Sequence, residues 1–370
     1  MSQTVPNDEA PLANNLFTPL WNWQPPAHYK RVVTIDAHTG GEPLRIIVSG
    51  LPPIYGSNVL EKRRFFKQHY DTLRCGILLE PRGHADMYGA ILTTPSNPLE
   101  ADLDVIFINT EGYSNMCGHG ILAIAKVVFE TGVLGKEKHD TQVVRMNSPS
   151  GMVYARATFD KETGEVTQTS FRNVPSFVYL QHQTVAVPGL GNVTFDISFG
   201  GLFFAIVSVG MLPVSQQLDI TSENYGAFIS LGRKIRAAIL QDSSIKIEHP
   251  FESDLSGLFG VIFTSPPHDP KNHSRNVNVF EDGEIDRSAT GTGVSARSAL
   301  HFARGEISVG QKFTVESIIG STLTSMVVEE VQFGNFKAVV PEVSGVAHIM
   351  SRSELMYDPG DPFQNGFLLH

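Results

Sequence analysis

Cysteine is nearly absent from this chain of 370 residues, with only Cys75 and Cys117. Two cysteines cannot build a disulfide framework, so free thiols in a reducing compartment are expected, and with them a cytoplasmic location. Basic charge is also short: 28 Lys plus Arg face 38 Asp plus Glu, a formal net charge of −10, and no basic run exceeds Lys62-Arg63-Arg64. Phosphate backbones are recognised by basic patches, so nucleic acid is not an expected partner. Long apolar runs are missing too. The stretch Ile121 to Phe129 is broken by Lys126 and falls far below the roughly 20 residues of a membrane span, so no membrane partner is expected either. Residues 1–29 hold no Lys or Arg and no apolar segment, so they do not read as a secretion signal. What is present, 41% hydrophobic and 18% charged residues, describes a globular protein able to bury a substantial core.

Residues 1–29, rich in Pro and Asn with scattered Phe17, Trp21 and Trp23, read as an arm outside the main fold, its aromatics docking it on the surface. Beyond it, short β-rich runs (Arg31 to Ile35, Leu44 to Val48, Gly76 to Leu79, Val105 to Ile108) alternate with Gly and Pro. Helical signals cover Gly120 to Phe129, Glu223 to Gln241 and Val294 to Ala303. Strand should therefore outweigh helix in an α+β arrangement.

An internal repeat is the most informative feature. Met116-Cys117-Gly118-His119-Gly120-Ile121 through Gly132 aligns without a gap on Ala289-Thr290-Gly291-Thr292-Gly293-Val294 through Gly305. Each copy reads as a Gly-rich turn, a short apolar helix and a Gly suited to a left-handed C-cap. Further pairs keep the same order: Asp36, Gly40-Gly41 and Ile46-Ile47 with Asp196, Gly200-Gly201 and Ile206-Val207; Tyr88 to Ile91 with Phe259 to Ile262; Asn147 to Gly151 with Glu316 to Gly320. Four ordered matches imply two homologous halves related by a pseudo-two-fold axis, 30–184 and 185–345, with a C-terminal segment 346–370 that returns to the first half.

Two Gly-turn-helix units placed in this way would point their N-termini into the cleft between the halves. Unpaired N–H groups and the positive helix ends could hold a substrate carboxylate there. Cys117 precedes the first helix, and the same field should lower its pKa and make it a base. His119, two residues on, could orient the thiol or meet a substrate amine, although a lone turn histidine is more often a hydrogen-bonding cap. Cys75, in the strand-like Leu73 to Leu79, reads as buried and inert. No His/Cys/Asp cluster has metal spacing, so no metal is expected. Gly291-Thr292-Gly293-Val294-Ser295-Ala296 matches a dinucleotide fingerprint, but the acidic segment before it, Glu281 to Arg287, lacks the required buried strand.

The motifs Asp36-Ala37-His38-Thr39-Gly40-Gly41-Glu42-Pro43, Glu80-Pro81-Arg82-Gly83-His84, Asp86-Met87-Tyr88-Gly89, Met116-Cys117-Gly118-His119, Arg172 to Phe177 and Asp286-Arg287-Ser288 resemble the proline racemases, with the related hydroxyproline epimerases and trans-3-hydroxyproline dehydratases. The likeness spans Val33 to Ile349. It implies two pseudo-symmetric halves of mixed or antiparallel sheet, each wrapped around a buried central helix, as in diaminopimelate epimerase-like folds. It also implies a homodimer, catalysis without a cofactor and a small-molecule substrate, a hydroxylated proline. Family members that racemise look like two-cysteine enzymes with one thiol per half. Here their Asp-Arg-Ser-Pro-Cys-Gly-Thr-Gly becomes Asp286-Arg287-Ser288-Ala289-Thr290-Gly291-Thr292-Gly293, with threonine at the second thiol. An alcohol is far less acidic than a cysteine thiol of pKa about 8.5, so Thr290 is no comparable base.

That substitution resembles the trans-3-hydroxy-L-proline dehydratase branch. The resemblance carries Cys117 and Thr290 over as catalytic residues, Gly118, His119, Gly291 and Thr292 as carboxylate binders, and Asp286 as the partner of the ring ammonium. Without it, Asp286 would read as a solvated loop acid. Two alternatives stay open on sequence: a proline racemase or 4-hydroxyproline epimerase using an unusual second acid, and a non-catalytic amino-acid-binding protein.

Overall fold

The computed structural model describes residues 23–135 and 142–369. Most of the expected arm, including Phe17 and Trp21, lies outside the described residues, and Trp23 is exposed rather than docked.

The first half begins with β1 (Lys30–Thr39) and β2 (Glu42–Ser49), an antiparallel hairpin turned by Gly40 and Gly41 at φ 60° and 91°. Helix α1 (Val59–Leu78) leads to β3 (Tyr88–Thr93), which lies parallel to β2. β4 (Leu103–Asn109) runs antiparallel to β3, followed by the short β5 (Tyr113–Ser114) and by α2 (Gly118–Thr131). α2 leads to β6 (Val144–Ser148), parallel to β4, and the meander continues through β7 (Gly151–Phe159) and β8 (Val166–Arg172).

The second half repeats this order. β10 (Gly191–Phe199) and β11 (Phe203–Ser208) form the hairpin, α3 (Tyr225–Gln241) crosses to β12 (Leu258–Ser265), and β13 (Ser274–Phe280) and β14 (Glu284–Ile285) precede α4 (Gly291–Ala303). β15 (Lys312–Glu316), β16 (Thr322–Phe333) and β17 (Phe336–Gly345) complete it. The pairings match step for step, with β11 parallel to β12 and β13 parallel to β15. Each parallel pair is joined through a helix, because parallel strands need a long crossover that a tight turn cannot supply.

The halves exchange strands. β9 (Ser176–Val187) pairs with β10 of the second half, and β18 (Ala347–Tyr357) returns to pair with β1. The division expected between 184 and 185 therefore falls inside β9.

Both central helices are enclosed by strands, α2 by β1, β2, β7, β8 and the returning β18, and α4 by β10, β16, β17 and the exchanged β9. Ile121, Leu122, Ile124, Val127, Val128 and Phe129 on α2 are all buried, and at roughly 1.5–3 kcal/mol for each fully buried apolar side chain this packing holds the helix in place. The expected C-cap geometry is present at both ends: Gly132 has φ 64° and Gly305 φ 70°.

One element differs from expectation. Gly76 to Leu79 reads as strand in the sequence, but Gly76 to Leu78 form the last turn of α1. Helical backbone wins because the segment belongs to the crossover between β2 and β3, whose start is capped by Asn58 Oδ1 accepting from the Glu61 N–H at 2.9 Å, while Glu61 accepts from the Ser57 N–H at 2.8 Å. Cys75 is consequently a half-buried helical residue rather than a buried strand residue. No helix among the described residues is long and apolar enough to cross a membrane.

Candidate active site

The N-termini of α2 and α4 abut backbone to backbone. A Cβ on Gly118 would lie 2.7 Å from Gly291 Cα and 2.8 Å from the Thr292 nitrogen, and a Cβ on Gly291 would lie 2.9 Å from Gly118 Cα. Only glycine allows this approach, and it sets two partially positive helix ends side by side. The resulting small cavity is lined by all seven residues singled out in the sequence: Cys117, Gly118 and His119 from one half, and Asp286, Thr290, Gly291 and Thr292 from the other. Every one of them is buried. A larger open cavity of about 540 Å³, lined by Arg63, Arg64, Lys67 and Arg236 among others, shares Leu202 and Phe259 with it and so adjoins it.

Cys117 caps α2, its Sγ accepting from the Gly120 N–H at 3.3 Å. His119 Nδ1 lies 3.3 Å from the same sulfur, and His119 Nε2 lies 3.2 Å from the Pro43 carbonyl oxygen. A carbonyl only accepts, so this geometry assigns the ring proton to Nε2 and turns the Nδ1 lone pair toward the thiol.

The expected lowering of the Cys117 pKa is reversed. Burial pushes the thiol well above its ordinary value, and the charges of Asp286 and Glu42 add to the rise; hydrogen bonds from Gly120 N–H and the Tyr88 hydroxyl work in the other direction. A helix N-terminus is worth about half a unit charge, less than the combined effect of desolvation and two nearby carboxyls. Burial likewise lowers the His119 pKa, despite the opposing effects of Asp286 and Pro43.

Thr290 stands at the matching position on α4 but in a different conformation. Its φ of 61° is rare for a β-branched residue. Thr290 N–H donates to Ser288 Oγ at 3.0 Å, and its hydroxyl donates to Asp286 Oδ2 at 2.8 Å. A Cβ on Gly293 would lie 3.0 Å from the Thr290 methyl, just as a Cβ on Gly120 would lie 2.9 Å from Cys117 Sγ. The methyl thus occupies the seat over α4 that sulfur occupies over α2, and the hydroxyl is turned away toward Asp286. Asp286 itself is not a solvated loop acid. It is 5% exposed, and its Oδ1 also accepts from the Ser288 N–H at 2.8 Å.

The cavity also holds residues not singled out from sequence: Glu42, Tyr88, Asn278, Phe259 and Phe280. Glu42 is 1% exposed and accepts from the Arg287 N–H at 2.7 Å across the halves. Burial raises its pKa well above the carboxylate range, Asp286 adding to the rise and Arg287 opposing it. Both Glu42 and Tyr88 sit inside recognisable motifs, so motif membership was the available signal. Among the described residues, no group of three His, Cys, Asp or Glu side chains is placed to hold a metal.

Comparison with known proteins matches residues 34–368 to the family model described as proline racemase. A trans-3-hydroxy-L-proline dehydratase of Colwellia psychrerythraea is 43% identical over 94% of this chain and 96% of its own length. A proline racemase of Clostridioides difficile is 40% identical over 92% of this chain and 98% of its own. Among solved structures, a hydroxyproline epimerase from Agrobacterium vitis with bound trans-4-hydroxy-L-proline superposes with a TM-score of 0.85 at 26% identity, covering 93% of this chain and 96% of that one.

Proposed function

The chain belongs to the proline racemase family, and from that premise we propose that it dehydrates trans-3-hydroxy-L-proline to Δ1-pyrroline-2-carboxylate and water. The observation that carries the reading is the asymmetry across the abutting helix ends. A thiol with an imidazole lone pair beside it caps one helix, and a threonine whose hydroxyl is committed to a carboxylate heads the other. Racemisation needs a proton acceptor and a proton donor on opposite faces of the α-carbon. A threonine hydroxyl is too weak an acid and too weak a base to match a thiol in either role. A single basic face suffices for dehydration of the trans isomer, because its α-hydrogen and 3-hydroxyl lie on the same side of the ring.

In this reading the substrate carboxylate lies against the backbone N–H groups of Gly118-His119 and Gly291-Thr292, where the helix ends stabilise the enediolate-like charge that develops as the α-proton leaves. The ring ammonium pairs with Asp286. Bound there, its positive charge offsets a carboxylate that raises the Cys117 pKa, so substrate binding itself favours the thiolate, with His119 Nδ1 at 3.3 Å to accept the thiol proton. Cys117 then removes the α-proton, the Cα–Cβ double bond forms as the C3–O bond breaks, and the resulting enamine tautomerises to the cyclic imine. Thr290, holding Asp286, fixes the ammonium partner.

The test is incubation of purified protein with trans-3-hydroxy-L-proline, and separately with L-proline in D2O. Pyrroline formation from the first, with no inversion of the second, is expected. Optical inversion of L-proline without pyrroline formation would reassign the protein to the racemase activity named for its Clostridioides difficile relative.

A further inference from the structure

We infer that the Tyr88 hydroxyl delivers the proton to the departing 3-hydroxyl, an assignment that rests on the dehydratase reading above. The leaving oxygen lies on the ring face that Cys117 serves, so its proton donor must lie on that side too. His119 is excluded by its own hydrogen bonds: its Nε2 proton is directed at Pro43 and its Nδ1 at the thiol. Glu42 is anchored on the Arg287 N–H of the opposite half. Tyr88, by contrast, lines the cavity, is 3% exposed, packs its ring edge-on against His119 at 5.2 Å between centroids, and lies near enough to the Cys117 thiol for its hydroxyl to work against the rise of the thiol's pKa.

The internal repeat makes the placement specific. Tyr88 in the motif Tyr-Gly-Ala-Ile corresponds to Phe259 in Phe-Gly-Val-Ile, and Phe259 lines the same cavity from the threonine side. A phenol hydroxyl is therefore present on the thiol side, and the matching position on the other side lacks it.

The proton balance closes without any other reactant. Cys117 thiolate takes the α-proton, and the electron pair of that C–H bond forms the Cα–Cβ double bond as the C3–O bond breaks. The departing oxygen takes the Tyr88 proton and leaves as water. The Cys117 thiol then returns its proton to Tyr88, which regenerates both the thiolate and the neutral phenol. A positioned general acid of this kind contributes about 10²–10⁴-fold.

The experiment compares wild type and Tyr88→Phe on two substrates: trans-3-hydroxy-L-proline and its 3-chloro analogue of the same configuration, whose chloride leaves without a proton. The variant is conservative, since phenylalanine already occupies the equivalent place at Phe259. A fall of about 100-fold or more in kcat for dehydration, with KM changed less than fivefold and a loss in chloride elimination about tenfold smaller, is expected, because Tyr88 also eases formation of the thiolate that both substrates need. Equal loss on both substrates would overturn the assignment by placing Tyr88 in α-proton removal or in structure. Unchanged dehydration would overturn it in favour of direct delivery by the thiol. If wild type forms no pyrroline at all, the dehydratase reading fails first and takes the assignment with it.

Discussion

Substituting Gly118 with alanine tests whether the contact between the two helix ends organises the site. The added Cβ would stand 2.7 Å from Gly291 Cα, 2.8 Å from its carbonyl carbon and 2.8 Å from the Thr292 nitrogen, whereas ordinary contacts begin at 3.4 Å. Relief by separation alone requires the helix ends to part by 3.4 − 2.7, or about 0.7 Å, and all three obstructing atoms are backbone, so no side chain can swing aside. Overpacking of this size costs about 1–3 kcal/mol of stability. A misplacement approaching 1 Å at a reacting centre costs about 100-fold in rate, equivalent to about 2.7 kcal/mol of transition-state stabilisation. The new methyl also crowds the Thr292 N–H proposed to hold the carboxylate, so KM should rise along with the fall in kcat. The assay is steady-state pyrroline formation beside a thermal melt. A folded Gly118→Ala protein with kcat/KM within threefold of wild type would refute the claim that the abutting helix ends position the substrate.

Glu284 gives a stability prediction. It is 6% exposed, one of its oxygens is buried without a partner, and burial, opposed by the hydrogen bond from Thr110, pushes its pKa up to about 8 from 4.5. A raised native pKa means that its contribution to stability is fully present below about pH 4.5 and is lost as pH rises toward 8, because the unfolded chain ionises while the native carboxyl stays protonated. Denaturant melts should show the Glu284→Gln variant losing stability less steeply than wild type between about pH 5 and 8, by about 1.4 kcal/mol per pH unit; parallel curves would sink the argument. Thr290→Cys should introduce exchange of the substrate α-proton from the second face, read as inversion of L-proline in D2O, and its absence in a folded variant would place residue 290 off that face.

Much of this architecture could be read from the sequence because the repeat carries geometric requirements. Gly118 and Gly291 align because both helix ends need bare backbone, and Gly132 and Gly305 because both C-caps need positive φ. Helix α1 escaped because its first two turns carry Glu61-Lys62-Arg63-Arg64 and its last apolar residues look like a strand. Two signals could have found it: the Asn58 N-cap, and its place as the counterpart of α3, which the sequence did predict. The Cys117 pKa was misjudged for a different reason. Asn115, Gly118, His119 and Gly120 have the composition of an exposed turn, but Leu44 and Phe107 lie against Gly120, and Gly291 and Thr292, more than 150 residues later in the chain, press on Gly118, so Cys117 is buried near Glu42 and Asp286. Burial created between distant segments leaves no local trace.

A duplicated scaffold of this kind is compatible with the one-sided chemistry proposed above. The backbone requirements are kept in both halves, while the groups proposed to handle protons differ between them: Cys117 against Thr290, His119 against Thr292, Tyr88 against Phe259. Even the backbone has parted at the decisive position, with φ −146° at Cys117 and 61° at Thr290. Restoring a thiol at position 290 therefore supplies one γ atom where threonine has two, and its effect depends on which seat the sulfur takes. In the methyl's seat over Gly293 it faces helix N–H groups, as Cys117 does, and these offset only part of the burial that disfavours the thiolate, as at Cys117. In the hydroxyl's seat it faces Asp286, 2.8 Å from the present oxygen, and the carboxylate disfavours the thiolate until a substrate ammonium neutralises it. In the first case iodoacetamide should alkylate the introduced thiol of the Thr290→Cys variant without ligand about as slowly as it alkylates Cys117. In the second, alkylation at that position should require a bound cationic amine that leaves the thiol uncovered. These outcomes show whether one substitution can return the second half to two-sided proton exchange.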